Sequence, residues 1–144
     1  MTAVSEKSVP SDKLQVTSKD RANGKSGTYG YRKLRVWHVA DRLAHETYRL
    51  TKEFPKQEQF GLVSQLRRAA LSIPTNLAEG QARKGPREFK QFVGVALGSL
   101  AEVEYLLEFS RTEGLLSDQA YRAVESTRQE TGKLLWAFYE SLKV

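Results

Sequence analysis

The sequence predicts an all-α protein, an antiparallel up-and-down four-helix bundle preceded by a disordered N-terminal tail. Two observations lead to this prediction. Between residues 31 and 144, apolar residues recur at steps of three and four in four successive stretches, which is the spacing of one face of a helix. The connections between these stretches are short, and short connections make consecutive helices antiparallel neighbours.

The first helical pattern begins with Val36 and is stopped by Phe54-Pro55, because the residue that precedes a proline is disfavoured in the helical region. Its apolar face consists of Val36, Trp37, Ala40, Leu43, Ala44, Thr47, Tyr48 and Leu50.

The second pattern starts near Phe60-Gly61 and ends at Gly80 and the Lys84-Gly85-Pro86 turn. Pro74 lies inside it and is expected to kink the helix or divide it in two, since its ring removes a backbone donor. Asn76 and Glu79 have the spacing of a capping box, which would restart the helix after such a break.

The third pattern begins at Pro86, a favoured first-turn position, and Gly114 is its stop signal. Gly94 and Gly98 lie four residues apart within it, and each costs about 1 kcal/mol relative to alanine. We therefore expect another backbone to approach this stripe, either a helix of the same bundle or a neighbouring subunit.

The fourth pattern has Ser117 as its N-cap, followed by Asp118, and Arg128 interrupts its apolar seam. Trp136 and Tyr139 fall off that seam. They are candidates for stacking on bases or for a subunit interface, and the interface is favoured because exposed aromatic residues are enriched there.

The composition of residues 1–30 differs from that of the rest, because it is polar and lacks periodicity. Such a segment buries too little apolar surface to offset its ordering entropy, so we assign residues 1–30 to a flexible polar tail and residues 31–144 to the bundle. The chain has no cysteine, which excludes disulfides and thiolate chemistry. No apolar stretch is long enough for a membrane span, and a cytoplasmic location without membrane contact is expected.

The charge distribution is informative once the topology is assumed. The chain carries a net charge of +6, and the up-and-down order gathers cations from four segments at one end of the bundle. That end has three carboxylates, on Glu79, Glu88 and Glu140, against eight cations. The cations are Arg32, Lys33, Arg35, Arg83, Lys84, Arg87, Lys90 and Lys143. A polyanion and the acidic end of another subunit are both candidate partners, and ordinary solubilising surface is the simplest alternative.

Catalytic signals are weak throughout the chain. His38 and His45 are two helical turns apart, too far to share one metal ion, and no glycine-rich phosphate loop occurs. We predict no catalytic residue, no metal and no cofactor, and hence a protein that binds rather than catalyses.

Several segments in order resemble the family of four-helix-bundle proteins encoded in the intervening sequences of bacterial 23S ribosomal RNA genes. The most specific is the run Ile73-Pro74-Thr75-Asn76-Leu77-Ala78-Glu79-Gly80. The other matching segments are Leu34-Arg35-Val36-Trp37, Tyr48 through Phe54-Pro55, Phe60-Gly61-Leu62, Gln65-Leu66-Arg67-Arg68-Ala69-Ala70 and Ala96-Leu97-Gly98-Ser99-Leu100-Ala101-Glu102.

The resemblance implies a left-handed bundle that assembles as a homopentamer. It also implies kinship with accessory proteins of diversity-generating retroelements, which bind a reverse transcriptase and nucleic acid through a basic surface. Pro74, Asn76 and Glu79 then serve to shape the second helix, and Gly98-Ser99 allows close packing.

Arg67 and Arg68 belong to the matching motif but lie toward the outside of the second helix. They are expected to bind RNA or to form an intersubunit salt bridge. The salt bridge is favoured because residues 91–144 hold five bases and eight acids. The resulting hypothesis is an oligomeric protein that binds nucleic acid, structured RNA above all, through the basic end. The alternative is a homopentameric scaffold that docks a partner enzyme such as a reverse transcriptase.

Overall fold

The computed structural model describes residues 30–144 and contains four long helices. They are α1 (Arg35–Thr51), α2 (Ser64–Ala82), α3 (Pro86–Thr112) and α4 (Asp118–Ser141). No strand occurs within residues 30–144, so the prediction of an all-α four-helix protein is confirmed. The predicted tail lies outside the described residues, apart from Gly30, which opens a short 3-10 turn, Gly30–Lys33.

The four helices surround one apolar core. Each helix packs against the helix that precedes or follows it in the chain, and α1 also packs against α4. The largest side chains that are fully buried come from all four helices and include Leu43, Leu66, Ile73, Leu77, Leu107 and Leu135. The amphipathic faces seen in the sequence therefore meet in one core, and burial of these side chains is the main source of stability.

The contacts between neighbouring helices pair earlier residues of one helix with later residues of the next. Between α2 and α3, the Ser99 hydroxyl donates to the Ser72 hydroxyl over 2.8 Å, and the Gln65 amide donates to Glu102 over 3.3 Å. Between α3 and α4, Arg128 pairs with Glu104. This antiparallel pairing agrees with an up-and-down order, which stays a prediction for the bundle as a whole, as does its handedness.

Pro74 neither ends nor divides the second helix, contrary to one sequence expectation. Helix α2 continues through it, and Pro74 is buried. The capping box is also wrong, because Asn76 faces backward along the helix. Its amide nitrogen donates to the Ser72 carbonyl over 2.7 Å and lies 2.9 Å from the Ser72 hydroxyl. The carbonyl that Pro74 leaves without a backbone N–H partner is that of Ala70, four residues earlier, so the Asn76 bonds do not replace the missing bond.

The close approach between helices occurs at Gly80 rather than at Gly94 or Gly98. A Cβ atom on Gly80 would lie 2.7 Å from the Cβ of Phe92. The same atom on Gly94 would meet only the Tyr139 ring, at 3.7 Å, and on Gly98 it would meet no described atom within 4 Å. Of the two alternatives for the Gly94 and Gly98 stripe, a helix of the same bundle is therefore wrong, and a neighbouring subunit stays a prediction.

The turns that bound α3 are those that the sequence predicts. Gly85 has a φ of 86°, a left-handed conformation that favours glycine, and Pro86 begins the helix. Gly114 has a φ of 78° just after the helix ends. The Ser117 hydroxyl then accepts a hydrogen bond from the backbone N–H of Ala120 at the start of α4.

The connection between α1 and α2 holds a 3-10 turn, Lys56–Glu58, which is followed by one π-helical turn, Gln59–Val63. The π-helical turn leads directly into α2, so the helical start predicted near Phe60-Gly61 is confirmed. Phe54 is buried before these turns, whereas Phe60 within them is 93% exposed. The connection thus anchors one aromatic side chain in the core and presents another on the surface.

The arginine on the apolar seam of α4 is accommodated by carboxylates. Arg128 donates two hydrogen bonds to Glu125, over 2.8 Å and 2.7 Å, and pairs with Glu104 of α3. The hydrogen bonds with the Glu125 carboxylate raise the pKa of Arg128 above its ordinary value, despite the opposing effect of burial. Arg42 makes a comparable bridge from α1, donating to Glu130 over 2.7 Å.

Candidate nucleic-acid interface

The start of α1, the turn between α2 and α3 and the end of α4 meet at one end of the bundle, which we call the basic end. The Gly30–Lys33 turn packs against α2, where a Cβ atom on Gly30 would lie 3.8 Å from the Gln81 side chain. The rings of Phe89 in α3 and Phe138 in α4 lie 5.2 Å apart, edge to face. These contacts bring together the segments that carry the eight cations identified from the sequence.

Three cations of the basic end lie over aromatic rings. The guanidinium of Arg83 is 5.1 Å from the Phe92 ring centre, and the Lys90 amine is 4.6 Å from that of Tyr139. Arg32 lies 4.7 Å from the ring of Tyr31. A cation over a ring keeps its positive charge, so these contacts hold the side chains in place without neutralising them.

One cation of the basic end is partly neutralised. Arg35 lies 3.8 Å from the Glu130 carboxylate, which is bound more tightly by Arg42. None of the other seven forms an ion pair with a carboxylate of residues 30–144. Lys84 and Arg87 are exposed on either side of Gly85, which is exposed as well.

Arg67 lies away from the basic end and binds groups of α1, and its expected roles in RNA binding or in an intersubunit salt bridge stay predictions. Its Nε donates to the Thr51 hydroxyl over 2.9 Å, and its Nη2 donates to the Tyr48 carbonyl over 3.2 Å. Its guanidinium also lies 4.4 Å from the Tyr48 ring centre. Arg67 therefore holds the end of α1 against α2, and its position is about 24 Å along the helix from Arg83.

Arg68, one residue later, is exposed and lines a groove of about 270 Å³ at the corner between α1 and α2. We call this groove the aromatic corner. Its lining residues are Tyr48, Gln59, Phe60, Val63, Ser64, Arg67, Arg68 and Leu71. Sequence analysis missed it because Phe60 was assigned only as the start of a helix, and only the fold brings it beside Tyr48.

The two histidines do not form a common site. The His38 Nε2 lies 2.7 Å from the Arg32 carbonyl oxygen, which accepts its hydrogen bond, and His45 lies 3.5 Å from the Asp41 carboxylate. In the part of the chain that the structure describes, no group of three or more potential metal-ligating side chains occurs. No helix there is long and apolar enough to cross a bilayer.

A separate row of apolar side chains lies on the outer face of α3. Val95, Tyr105 and Phe109 are 54%, 60% and 41% exposed, and Gly98 lies between them on the same face. On α4, Trp136 is 54% exposed and contacts Tyr139 edge to face. Exposed rows of this kind are typical of protein interfaces.

Comparison with known proteins gives a family match and matches to solved structures. The family model described as 23S rRNA-intervening sequence protein matches residues 32–137. Comparison with curated proteins returns no match.

One of the matching structures is a crystal structure from Bacteroides thetaiotaomicron VPI-5482. Its title describes a protein with unknown function from the S23 ribosomal protein family. The two structures agree with a TM-score of 0.69 and 22% sequence identity, over 74% of this chain and 96% of that one. At this identity the likeness shows the fold alone. The family match includes the start of α1 and the turn between α2 and α3, and it ends at residue 137, before the end of α4.

Proposed function

We propose that this chain, which belongs to the 23S rRNA-intervening sequence protein family, is a non-catalytic, oligomeric protein that binds structured RNA through its basic end. The proposal rests on the lack of carboxylate partners for most of the cations there. Seven of the eight have no carboxylate partner among residues 30–144, although the fold brings their segments together.

A surface of this kind favours a polyanion for electrostatic reasons. Unpaired cations of one sign repel one another, and the repulsion falls when phosphates approach and release their counterions. The charges also come from separate chain segments, so they spread over a surface instead of converging on a point. That arrangement suits a phosphate backbone better than a small anion.

The direct test is a titration of the full chain with a fluorescently labelled RNA hairpin at several salt concentrations. We expect the logarithm of the binding constant to fall linearly with the logarithm of the salt concentration. Absence of binding at the lowest salt concentration would remove the proposal.

A second candidate function is supported by the exposed apolar row on α3 and by Trp136. These side chains favour a protein scaffold that assembles with itself and docks an enzyme, such as a reverse transcriptase-like partner. The mass of the purified protein by light scattering tests self-assembly, and co-purification with a tagged copy in the native host tests docking. A monomer that co-purifies with no enzyme would remove this candidate.

A further inference from the structure

We propose that the aromatic corner is a second nucleic-acid contact, where an unpaired base stacks on Phe60 and its phosphate meets Arg68. This inference rests on the proposed function and deepens it. It names the form of nucleic acid that the protein distinguishes, an unpaired nucleotide beside a duplex.

The Phe60 side chain is almost fully exposed. With 93% of its surface accessible, this ring makes almost no contact within residues 30–144 and contributes nothing to the core. A nearly free aromatic face is the platform on which a base stacks.

The side chains of Tyr48 and Leu71 form a fixed wall of the groove beside Phe60. Arg67 fixes the Tyr48 end of α1 through the bonds to Thr51 and to the Tyr48 carbonyl. Tyr48 is 36% exposed and Leu71 is 43% exposed, so both present apolar surface to the groove. A groove with one free ring and one fixed wall holds a flat apolar ligand without reorganisation of the helices.

The chain segment that forms the aromatic corner is positively charged. Residues 48–71 contain five cations and two carboxylates, on Glu53 and Glu58. The cations are Arg49, Lys52, Lys56, Arg67 and Arg68. Among the described residues none of these five forms an ion pair with a carboxylate. A flat apolar ligand that also carries negative charge fits this surface, and an unpaired nucleotide has both properties.

The test compares two RNAs by fluorescence anisotropy at one low salt concentration: a hairpin with an unpaired loop, and a blunt duplex with the same number of phosphates. We expect Phe60→Ala to weaken hairpin binding about five- to 150-fold, the range for loss of one base–aromatic stack, and to leave duplex binding unchanged. Arg68→Gln should weaken hairpin binding more than duplex binding.

The matched control is Arg122→Gln, which removes another exposed arginine and should not alter the preference for the hairpin. Because Phe60 is almost fully exposed, its replacement should leave the thermal midpoint unchanged, which circular dichroism checks.

The possible failures are distinguishable. If the unaltered protein binds neither RNA, both the proposed function and this inference are overturned. If it binds both RNAs and Phe60→Ala leaves the preference for the hairpin unchanged, only the inference is overturned. If Phe60→Ala changes the mass of the assembly but not RNA affinity, the aromatic corner is a protein interface, and the inference is again overturned.

Discussion

Gly80 of α2 lies against Phe92 of α3: a Cβ atom on Gly80 would lie 2.7 Å from the Phe92 Cβ and 2.8 Å from the Phe89 ring. Both obstructing atoms belong to side chains at the buried junction of the two helices, next to the cations of the basic end. The glycine is therefore required for packing, and the position of the basic end depends on it.

Replacement of Gly80 tests this relationship. Gly80→Ala should destabilise the fold by about 1–3 kcal/mol, the usual cost of overpacking, despite the better helix propensity of alanine. Chemical denaturation of the variant and the unaltered protein measures the difference. An unchanged or higher midpoint would mean that α2 and α3 separate easily at this point.

Gly98 is the matched case without an obstruction. Its Cβ position has no described atom within 4 Å, so Gly98→Ala should raise the free energy of unfolding by about 0.5–1 kcal/mol through helix propensity alone. The same denaturation experiment measures it. Loss of assembly mass in this variant would instead identify Gly98 as the place where a neighbouring subunit approaches.

Replacement of Asn76 tests whether α2 is continuous at Pro74 or restarts after it with a capping box. Its amide donates to the Ser72 carbonyl, so Asn76→Asp should destabilise the helix by about 1–3 kcal/mol, because a carboxylate cannot donate and faces a carbonyl oxygen. Thermal unfolding measures the change. A capping box would give the opposite result, since aspartate is a good N-cap and would preserve stability.

Arg67 and Arg68 should differ sharply, although they are adjacent in the sequence. Arg67→Gln loses both hydrogen bonds and the contact with the Tyr48 ring, and should cost about 1–3 kcal/mol of stability. Arg68→Gln, on the exposed surface, should stay within about 0.5 kcal/mol.

Arg67→Lys completes this comparison. It should not restore stability, because a single ammonium cannot reproduce the planar guanidinium that reaches both partners. Equal stability of the Arg67 and Arg68 variants would show that the α1 end is held by other contacts.

The sequence predicted those features that depend on neighbours along the chain. The turns at Gly85-Pro86 and Gly114 and the cap at Ser117 follow from backbone conformation and local hydrogen bonding. The family resemblance, which rested on short motifs, is confirmed by the match over residues 32–137.

The features that the sequence did not predict depend on partners across the fold. Pro74 stays inside a helix because the surrounding core buries it, and the glycine that matters is the one that faces Phe92. Arg67 and Arg68 differ by 100° around α2, which places one against α1 and the other toward solvent. Phe60 became a candidate site only when the fold placed it beside Tyr48.

Two matched double variants test whether the basic end binds RNA phosphates. Lys84→Gln with Arg87→Gln removes two exposed cations of the basic end, and Arg122→Gln with Lys133→Gln removes two exposed cations of α4. In a salt titration with duplex RNA, we expect the first pair to reduce the slope of log binding constant against log salt by about 2 and the second to leave it unchanged. Equal slopes for both double variants and the unaltered protein would contradict the account.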